Sequence, residues 1–375
     1  MSRKIIKGIK AWFMVLLSIF IVFVISMFVL VKVNATAAAS IADNILRPIF
    51  GTDRVIALEQ TIFNLSDKTS QLEYNFKSAI APQFLTQVND KNLSSSLLDL
   101  TSIPSLFSHP LKDEGVWHNI VATVSPNKEV LAYTFVRPDP ARSFANVSLV
   151  QMDTSQLQLG MVAGTTEPGG PGNPGPGTIP QNVIDGGNLV VAFNGGFLHV
   201  DGSYGMIVGN KTYVPLKTDT GTVVGYTDGT VKIINYTGQD LGNNVAFARQ
   251  NGPLLIDNGT IALDASDTKI ANGKVLHGGS YTWRSGIGIT NAGNIIYAAG
   301  NNLSPTTLAT ALQMAGAVSA MQLDINPSQV RFDLFNRNAT GSYDITALNQ
   351  ALAYLSDKNQ YLKGYTRDFF YVYKK

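Results

Sequence analysis

Residues 11 to 31, AWFMVLLSIFIVFVISMFVLV, form an unbroken run without charge, Gly or Pro. As a helix this run rises about 30 Å, the thickness of a bilayer core. Arg3, Lys4, Lys7 and Lys10 precede it and Lys32 follows it. The positive-inside bias therefore keeps residues 1–10 cytoplasmic and puts residues 33–375 outside the cell membrane. The alternative is a cleaved signal peptide, for which Ala37, Ala38 and Ala39 offer small residues. The apolar run exceeds the roughly 7–15 residues of a signal core, so the sequence predicts a single-pass transmembrane helix at 11–32.

The remaining composition excludes several function classes. The chain has 375 residues and no cysteine, so there is no disulfide framework, thiolate nucleophile or Cys-ligated metal. Lys and Arg number 28 against 26 Asp and Glu, which leaves no basic field for nucleic acid. The last glutamate is Glu167, so any carboxylate chemistry after it falls to aspartate. No H-x-x-H, HExxH, P-loop or G-x-S-x-G pattern is present, so zinc hydrolysis, nucleoside triphosphate chemistry and serine-esterase chemistry lack their signatures.

Residues 33–112 read as a helical, stalk-like region. Val55, Leu58, Ile62, Leu65, Leu72 and Phe76 recur at three to four residues with charges between them. From Val116 the period changes to two or to short apolar runs bounded by turns, such as IVATV (120–124), VLAYTFV, LVVAF, GIGIT and NIIYAAG. One helix is well signalled inside this region. Ser304 caps it, Pro305 suits its first turn, Leu308, Leu312 and Ala315 share a face, and Gly316 ends it. A second helix is predicted from Ile345 to about Leu355, before an aromatic strand, FFYVY. Residues 164–180, dominated by Gly and Pro, predict a flexible surface loop with nothing apolar to bury. The fold class expected is α+β: a mixed β-sheet domain with packed helices at 113–375, behind the membrane helix and stalk.

Several segments carry possible chemistry. The series RPDPARSF (137–144), VAFNGGF (191–197), YGMIV (204–208), ARQNGPLLIDNG (248–259), WRSGIGI (283–289) and ALQMAGAVSAMQLDI (311–325) resembles, in order and spacing, the phosphodiester glycosidase family. Physically, an apolar strand opens into Asn194, Gly195 and Gly196, where the glycines permit positive φ and close approach of a ligand. An ordinary hairpin turn is the plain alternative. Arg249, beside Asn251, offers a planar fork for a phosphate diester, or else a surface salt bridge. Arg284 resembles the family's Arg at a strand entry and is the better phosphate candidate. Asp324 ends an apolar strand, where a carboxylate can project into a cleft. The best-known members continue there as Leu-Asp-Gly-Gly-Gly-Ser, whereas this chain reads Leu323-Asp324-Ile325-Asn326-Pro327-Ser328. The resemblance carries the aspartate over, but not the backbone contacts of a glycine turn; Asn326 takes its place among the candidate substrate contacts.

The resemblance implies hydrolysis of a sugar-1-phosphate diester in a cell-surface glycan or polymer. Asp324 would act as acid/base or stabilise an oxocarbenium-like centre, with His199 or Asp201 as a second acid/base; His277 is weaker. A phosphodiester leaves as a weak base, so cationic stabilisation can replace much of the general acid. No cofactor is required, although Asp257, Asn258 and Asp324 are oxygen donors of the kind that Ca2+ takes. The alternatives are a non-catalytic glycan- or phosphate-polymer-binding domain on a membrane anchor, and an inert domain displayed on an oligomerising stalk.

Overall fold

The computed structural model describes residues 3–33, 35–86, 98–120, 130–262, 281–325, 328–353 and 357–375. The expected strand at 120–124, His277 and Asn326 lie wholly or largely outside these residues. The chain divides into two compact units, 1–69 and 70–375.

The first unit is helical: α1 (Arg3–Val33), α2 (Ala35–Ile41), a π-helical turn (Ala42–Leu46), α3 (Arg47–Phe50) and the start of α4 (Thr52–Tyr74). Within α1, Trp12–Leu30 is long and apolar enough to cross a membrane. Val55, Leu58 and Ile62 of α4 share a cluster with Phe23 and Met27 of α1, so the apolar stripe predicted for α4 is partly spent inside this unit. Arg47 and Glu59 close it with a 3.0 Å ion pair.

The second unit begins earlier than the sequence pattern suggests, because helix does not continue to 112. After Tyr74 the described residues 75–86 and 98–117 have no helix. Residues 83–85 instead hydrogen-bond to 348–350, and Phe84 lies 4.1 Å, centroid to centroid, from Tyr133. Residues 98–117 are held by a buried ion pair, Glu114 with Arg137 at 2.7 Å. Arg137 of the RPDPARSF motif is therefore a structural cation. Burial alone would push the Glu114 carboxyl up, but Arg137, the Leu111 N–H and Ser105 outweigh it and hold it below the ordinary range.

Among the described residues, three antiparallel sheets build this unit. The largest has the order β1 (His118–Asn119), β2 (Leu131–Val136), β3 (Val147–Met152), β14 (Ile295–Leu303), β13 (Thr282–Thr290), β15 (Ala317–Gln322), β11 (Leu254–Asp257), β12 (Thr260–Ile261). A second has the order β7 (Lys211–Val214), β6 (Met206–Val208), β10 (Val245–Gln250), β8 (Thr220–Tyr226), β9 (Val231–Tyr236). The third has the order β17 (Tyr343–Ala347), β16 (Phe332–Arg337), β5 (Leu189–Asn194), β18 (Phe369–Lys374), β4 (Leu157–Val162). Their inner faces meet in one core that includes Tyr297, Met321, Phe247, Val223, Phe193 and Phe370. The other face of the largest sheet is covered by α6 (Pro305–Met314), and that of the third by α5 (Gln181–Asp185) and α7 (Gln360–Lys363). Coverage on both faces explains why β5 and β14 read as continuous apolar runs. In β14, Tyr297 and Ala299 enter the inner core, while Ile296 and Ala298 face α6.

Helix α6 forms as its sequence predicts. Ser304 and Thr307 make a reciprocal capping box, Pro305 occupies the first turn, and Gly316 follows the helix at φ +87°. The helix expected at 345–355 does not form. Residues 343–347 pair with β16, and Ile345 joins a different cluster from Leu348 and Leu352. Their spacing of three and four serves two cores, not one helical face. The Gly/Pro segment 164–180 is tied down as well: Gly164 bonds Glu167, Thr165 bonds Tyr365, Gly177 bonds Ala163, and Ile179 is buried.

Ser304→Ala should remove the N-terminal cap of α6 and cost about 1 kcal/mol. Urea unfolding of the full chain in detergent, followed by tryptophan fluorescence, checks it: the midpoint falls while the slope is unchanged, whereas an unaltered midpoint contradicts the capping role.

Candidate active site

The turn after β5 is built around Asn194, whose side chain is saturated. Its Nδ2 donates to Ser285 Oγ (2.9 Å) and Gly195 O (3.1 Å), and its Oδ1 accepts from the Arg331 N–H (3.1 Å) and the Tyr297 hydroxyl (3.0 Å). Asn194 thus joins β5 to β13, β14 and the entry to β16. Gly195 and Gly196 are needed for packing rather than for the positive φ expected, since neither adopts one. A Cβ on Gly195 would lie 2.1 Å from Asp368 Oδ2, and one on Gly196 would lie 2.9 Å from both Arg249 Nη2 and Asn251 Oδ1.

Arg249, on β10, is fully buried. Nε and Nη2 grip Asp368 at 2.9 and 3.1 Å; Nη1 donates to Tyr204 O and Gln250 O, and Nη2 also to Phe197 O. All five N–H groups of the guanidinium are thereby used. A phosphate could bind Arg249 only by displacing Asp368, so the sequence expectation of a phosphate contact here is corrected to a structural one. Arg284 is equally buried, with Nε on Leu303 O and Nη1 on Gln322 Oε1, both at 2.7 Å. It faces the α6 side of the sheet, away from Ser285. Asn251 spans the two halves of the site: Oδ1 accepts from Phe197 N, and Nδ2 donates to Gln322 O and Leu323 O.

That last contact sets the position of Asp324. Its backbone is fixed by Gly195 O and by the Ser285 hydroxyl and amide, and its carboxylate is paired with Arg367 at 2.6 Å. The Arg367 side chain keeps 14% of its surface exposed and that of Asp324 6%. Burial would lower the Arg367 pKa, but Asp324, Tyr365, Asp201 and Asp368 outweigh it, so this guanidinium is held charged. Asp201, in a 3-10 turn at His199–Asp201, is half-buried and within electrostatic reach of Arg367. His199 is exposed, and its backbone N–H donates to Glu167 Oε2 at 2.8 Å. Asn194, Asn251 and Asp324 are therefore joined through one hydrogen-bonded network, with Asp201 within electrostatic reach of Arg367. Asp257 and Asn258 do not join them. Strand β11 runs antiparallel to β15 and places them at the end opposite Asp324, so the three oxygen donors offered for Ca2+ do not meet. Among the described residues, no group of three or more His, Cys, Asp or Glu side chains could hold a metal ion.

Arg367 and Asp368 were not legible in the sequence as site residues. Their one signal is an Arg-Asp pair directly before an apolar strand near the C-terminus, a pattern that a solvated strand entry shares. The same holds for Arg331 and Asp333, which pair with each other at the start of β16. Burial pushes the Asp333 carboxyl up to about 6, against the pull of Arg331. Burial also pushes Tyr365 up to about 12, with Arg367 opposing and Asp324 adding to it.

Two outcomes follow from these pairings. Asp368→Asn leaves the buried Arg249 charge uncompensated and should cost about 3–5 kcal/mol in chemical denaturation; a loss below about 1 kcal/mol contradicts the pairing. Asp333 has a folded pKa above its unfolded value, so the folded state binds the extra proton between about pH 4 and 6. Its contribution to stability is present at the acid end of that window and is lost as pH rises through it. The stability difference between wild type and Asp333→Asn should shift across this window, and a pH-independent difference contradicts the assignment.

Comparison with known proteins agrees with the motif series. Residues 187–328 match the family model described as phosphodiester glycosidase, a stretch that holds Asn194, Arg249, Asn251, Arg284 and Asp324 and ends before Arg367. Among solved structures, the zebrafish N-acetylglucosamine-1-phosphodiester alpha-N-acetylglucosaminidase catalytic domain, auto-inhibited by its pro-peptide, aligns at 14% identity. It covers 78% of this chain and 96% of that one, with a TM-score of 0.41. A hypothetical protein from Synechocystis aligns at 15% identity over 66% of this chain and 63% of that one, with a TM-score of 0.35. No curated protein matches the chain. The match over 187–328, which holds the motifs from VAFNGGF to AMQLDI, shows this part of the chain to be similar to the phosphodiester glycosidase family.

Proposed function

We propose that the protein is a membrane-anchored hydrolase that cleaves the glycosidic bond of a sugar-1-phosphate diester in an extracytoplasmic glycan or polymer. The observation that carries this reading is Asp324: inside the matched segment, just after β15, it is a buried carboxylate that the surrounding motifs position, and it is paired with the partly exposed guanidinium of Arg367. In this reading Arg367 takes the phosphate contact expected of Arg249 and Arg284. The phosphodiester binds Arg367, the C1–O bond breaks, and the phosphate departs as a monoester anion whose charge Arg367 stabilises. Once the substrate draws Arg367 toward the phosphate, Asp324 faces the electron-poor sugar carbon. It then stabilises that centre or takes the proton of the water that adds to C1. Asp201 is the second carboxylate within the field of Arg367.

The helix Trp12–Leu30 and the cationic residues before it support an anchor with a cytoplasmic N-terminus.

The test is hydrolysis of a panel of α-sugar-1-phosphate methyl diesters by the full chain in detergent. Asp324→Asn should lower kcat/KM by roughly a hundredfold or more, and Arg367→Ala should act chiefly on diester affinity. Wild type and Asp324→Asn equally inert across the panel would contradict the enzyme reading, and saturable binding without product would favour a binding module.

A further inference from the structure

The 70–375 unit contains a cavity of about 250 Å³ lined by Tyr74, Phe144, Trp283, Asn146, Asn301 and Asn302, among others. It lies beside the Asn194–Ser285–Asp324 network. Trp283 and Ser285 are two residues apart on one face of β13, about 7 Å along the strand. Ala299, the partner of Ser285 on β14, also lines it.

A β-bulge makes its inner wall. Between the pairs Thr282–Leu303 and Arg284–Gly300, the single residue Trp283 on β13 faces both Asn301 and Asn302 on β14. The extra residue leaves two consecutive amide side chains on the same cavity, with Asn302 in the left-handed region at φ +58°. Bulges of this kind re-aim side chains and cluster near active sites, and a non-glycine residue held left-handed is a cost that binding sites often carry. Part of the lining is aromatic: Tyr74 and Phe144 stack at 4.7 Å with their planes 16° apart. Both rings and the Trp283 indole are partly exposed. Asn146 donates through Nδ2 to Ile80 O, while its Oδ1 has no hydrogen-bond partner.

The chemistry of this lining is specific in what it lacks. Among the described residues that line it, no Asp, Glu, Lys, Arg or His is present, so an ionic ligand has nothing to pair with. What it offers is aromatic faces for a C–H-rich surface and amides that both donate and accept for hydroxyls. A neutral sugar ring has both of these surfaces. We propose that this cavity is a neutral-saccharide subsite, which holds a sugar unit of the glycan next to the one that is cleaved. Its place beside the cleaved unit rests on the glycosidase reading; its affinity for a saccharide does not.

The experiment uses the full chain in a detergent without a sugar headgroup, with maltose, cellobiose and N,N′-diacetylchitobiose as probes followed by saturation-transfer NMR. At least one disaccharide should bind saturably. Trp283→Ala should weaken it by about tenfold, and Asn301→Ala, at an exposed position, should weaken it measurably without disturbing the fold. Trp283→Phe keeps a ring and should retain part of the affinity. Absence of saturable binding by wild type to all three, or unchanged affinity in both Trp283→Ala and Asn301→Ala, would overturn the subsite. Saccharide binding that depends on Trp283 in a chain inert toward every phosphodiester would overturn the glycosidase reading and leave the subsite standing.

Discussion

The candidate site depends on one buried ion pair, Arg249 with Asp368. The two side chains are 0% and 1% exposed, and every N–H of the guanidinium is matched to an acceptor. Such a pair contributes little net stability, because the cost of stripping water from both charges offsets most of their attraction. Its value is positional. Arg249 is on β10 of the second sheet and Asp368 leads into β18 of the third, and Asp368 also accepts the Gly196 N–H at 3.0 Å. Two sheets and the Asn-Gly-Gly turn are thus fixed to one point, and no side chain larger than hydrogen fits at either glycine.

From that point the remaining positions follow in sequence. The Asn194 side chain connects to Ser285, Tyr297 and the backbone of Arg331, while Asn251 connects Phe197 to the end of β15. Asp324 emerges where these links meet. The three arginines differ in availability rather than in charge. Arg249 and Arg284 are fully buried with their donors directed at protein acceptors, whereas Arg367 is partly exposed and paired with Asp324. An anion entering this region therefore meets Arg367 first. The positive charge and the carboxylate are kept adjacent.

Much of this was legible in the sequence because it rests on local rules. The apolar run at 11–31 has the length of a spanning helix. Ser304, Pro305 and Gly316 mark the ends of α6, and the apolar run into Asn194-Gly195-Gly196 marks a strand entering a tight site. The rest was not legible, because it is set by contacts distant in sequence. Arg249 reads as an available cation until Asp368, 119 residues later, is seen to occupy it. Ile345, Leu348 and Leu352 have helical spacing, yet they serve two separate cores. Residues 75–86 and 98–112 belong to the region read as stalk, yet 83–85 hydrogen-bond to 348–350 and Glu114 pairs with Arg137, which ties the described parts to the β unit. The bulge beside Trp283 left no trace in composition, since two consecutive asparagines read as a turn.

Replacement of phosphate by water at the sugar's anomeric carbon is the central chemical claim, and the fate of the water oxygen tests it most directly. Hydrolysis of an α-sugar-1-phosphate methyl diester in 18O-labelled water, read by the isotope shift in the 31P spectrum and by mass spectrometry of the sugar, distinguishes the two bonds. Cleavage of C1–O puts the label in the sugar and leaves the methyl phosphate unlabelled, which is the result predicted. Label in the phosphate would mean attack at phosphorus, and would contradict the roles assigned to Asp324 and Arg367.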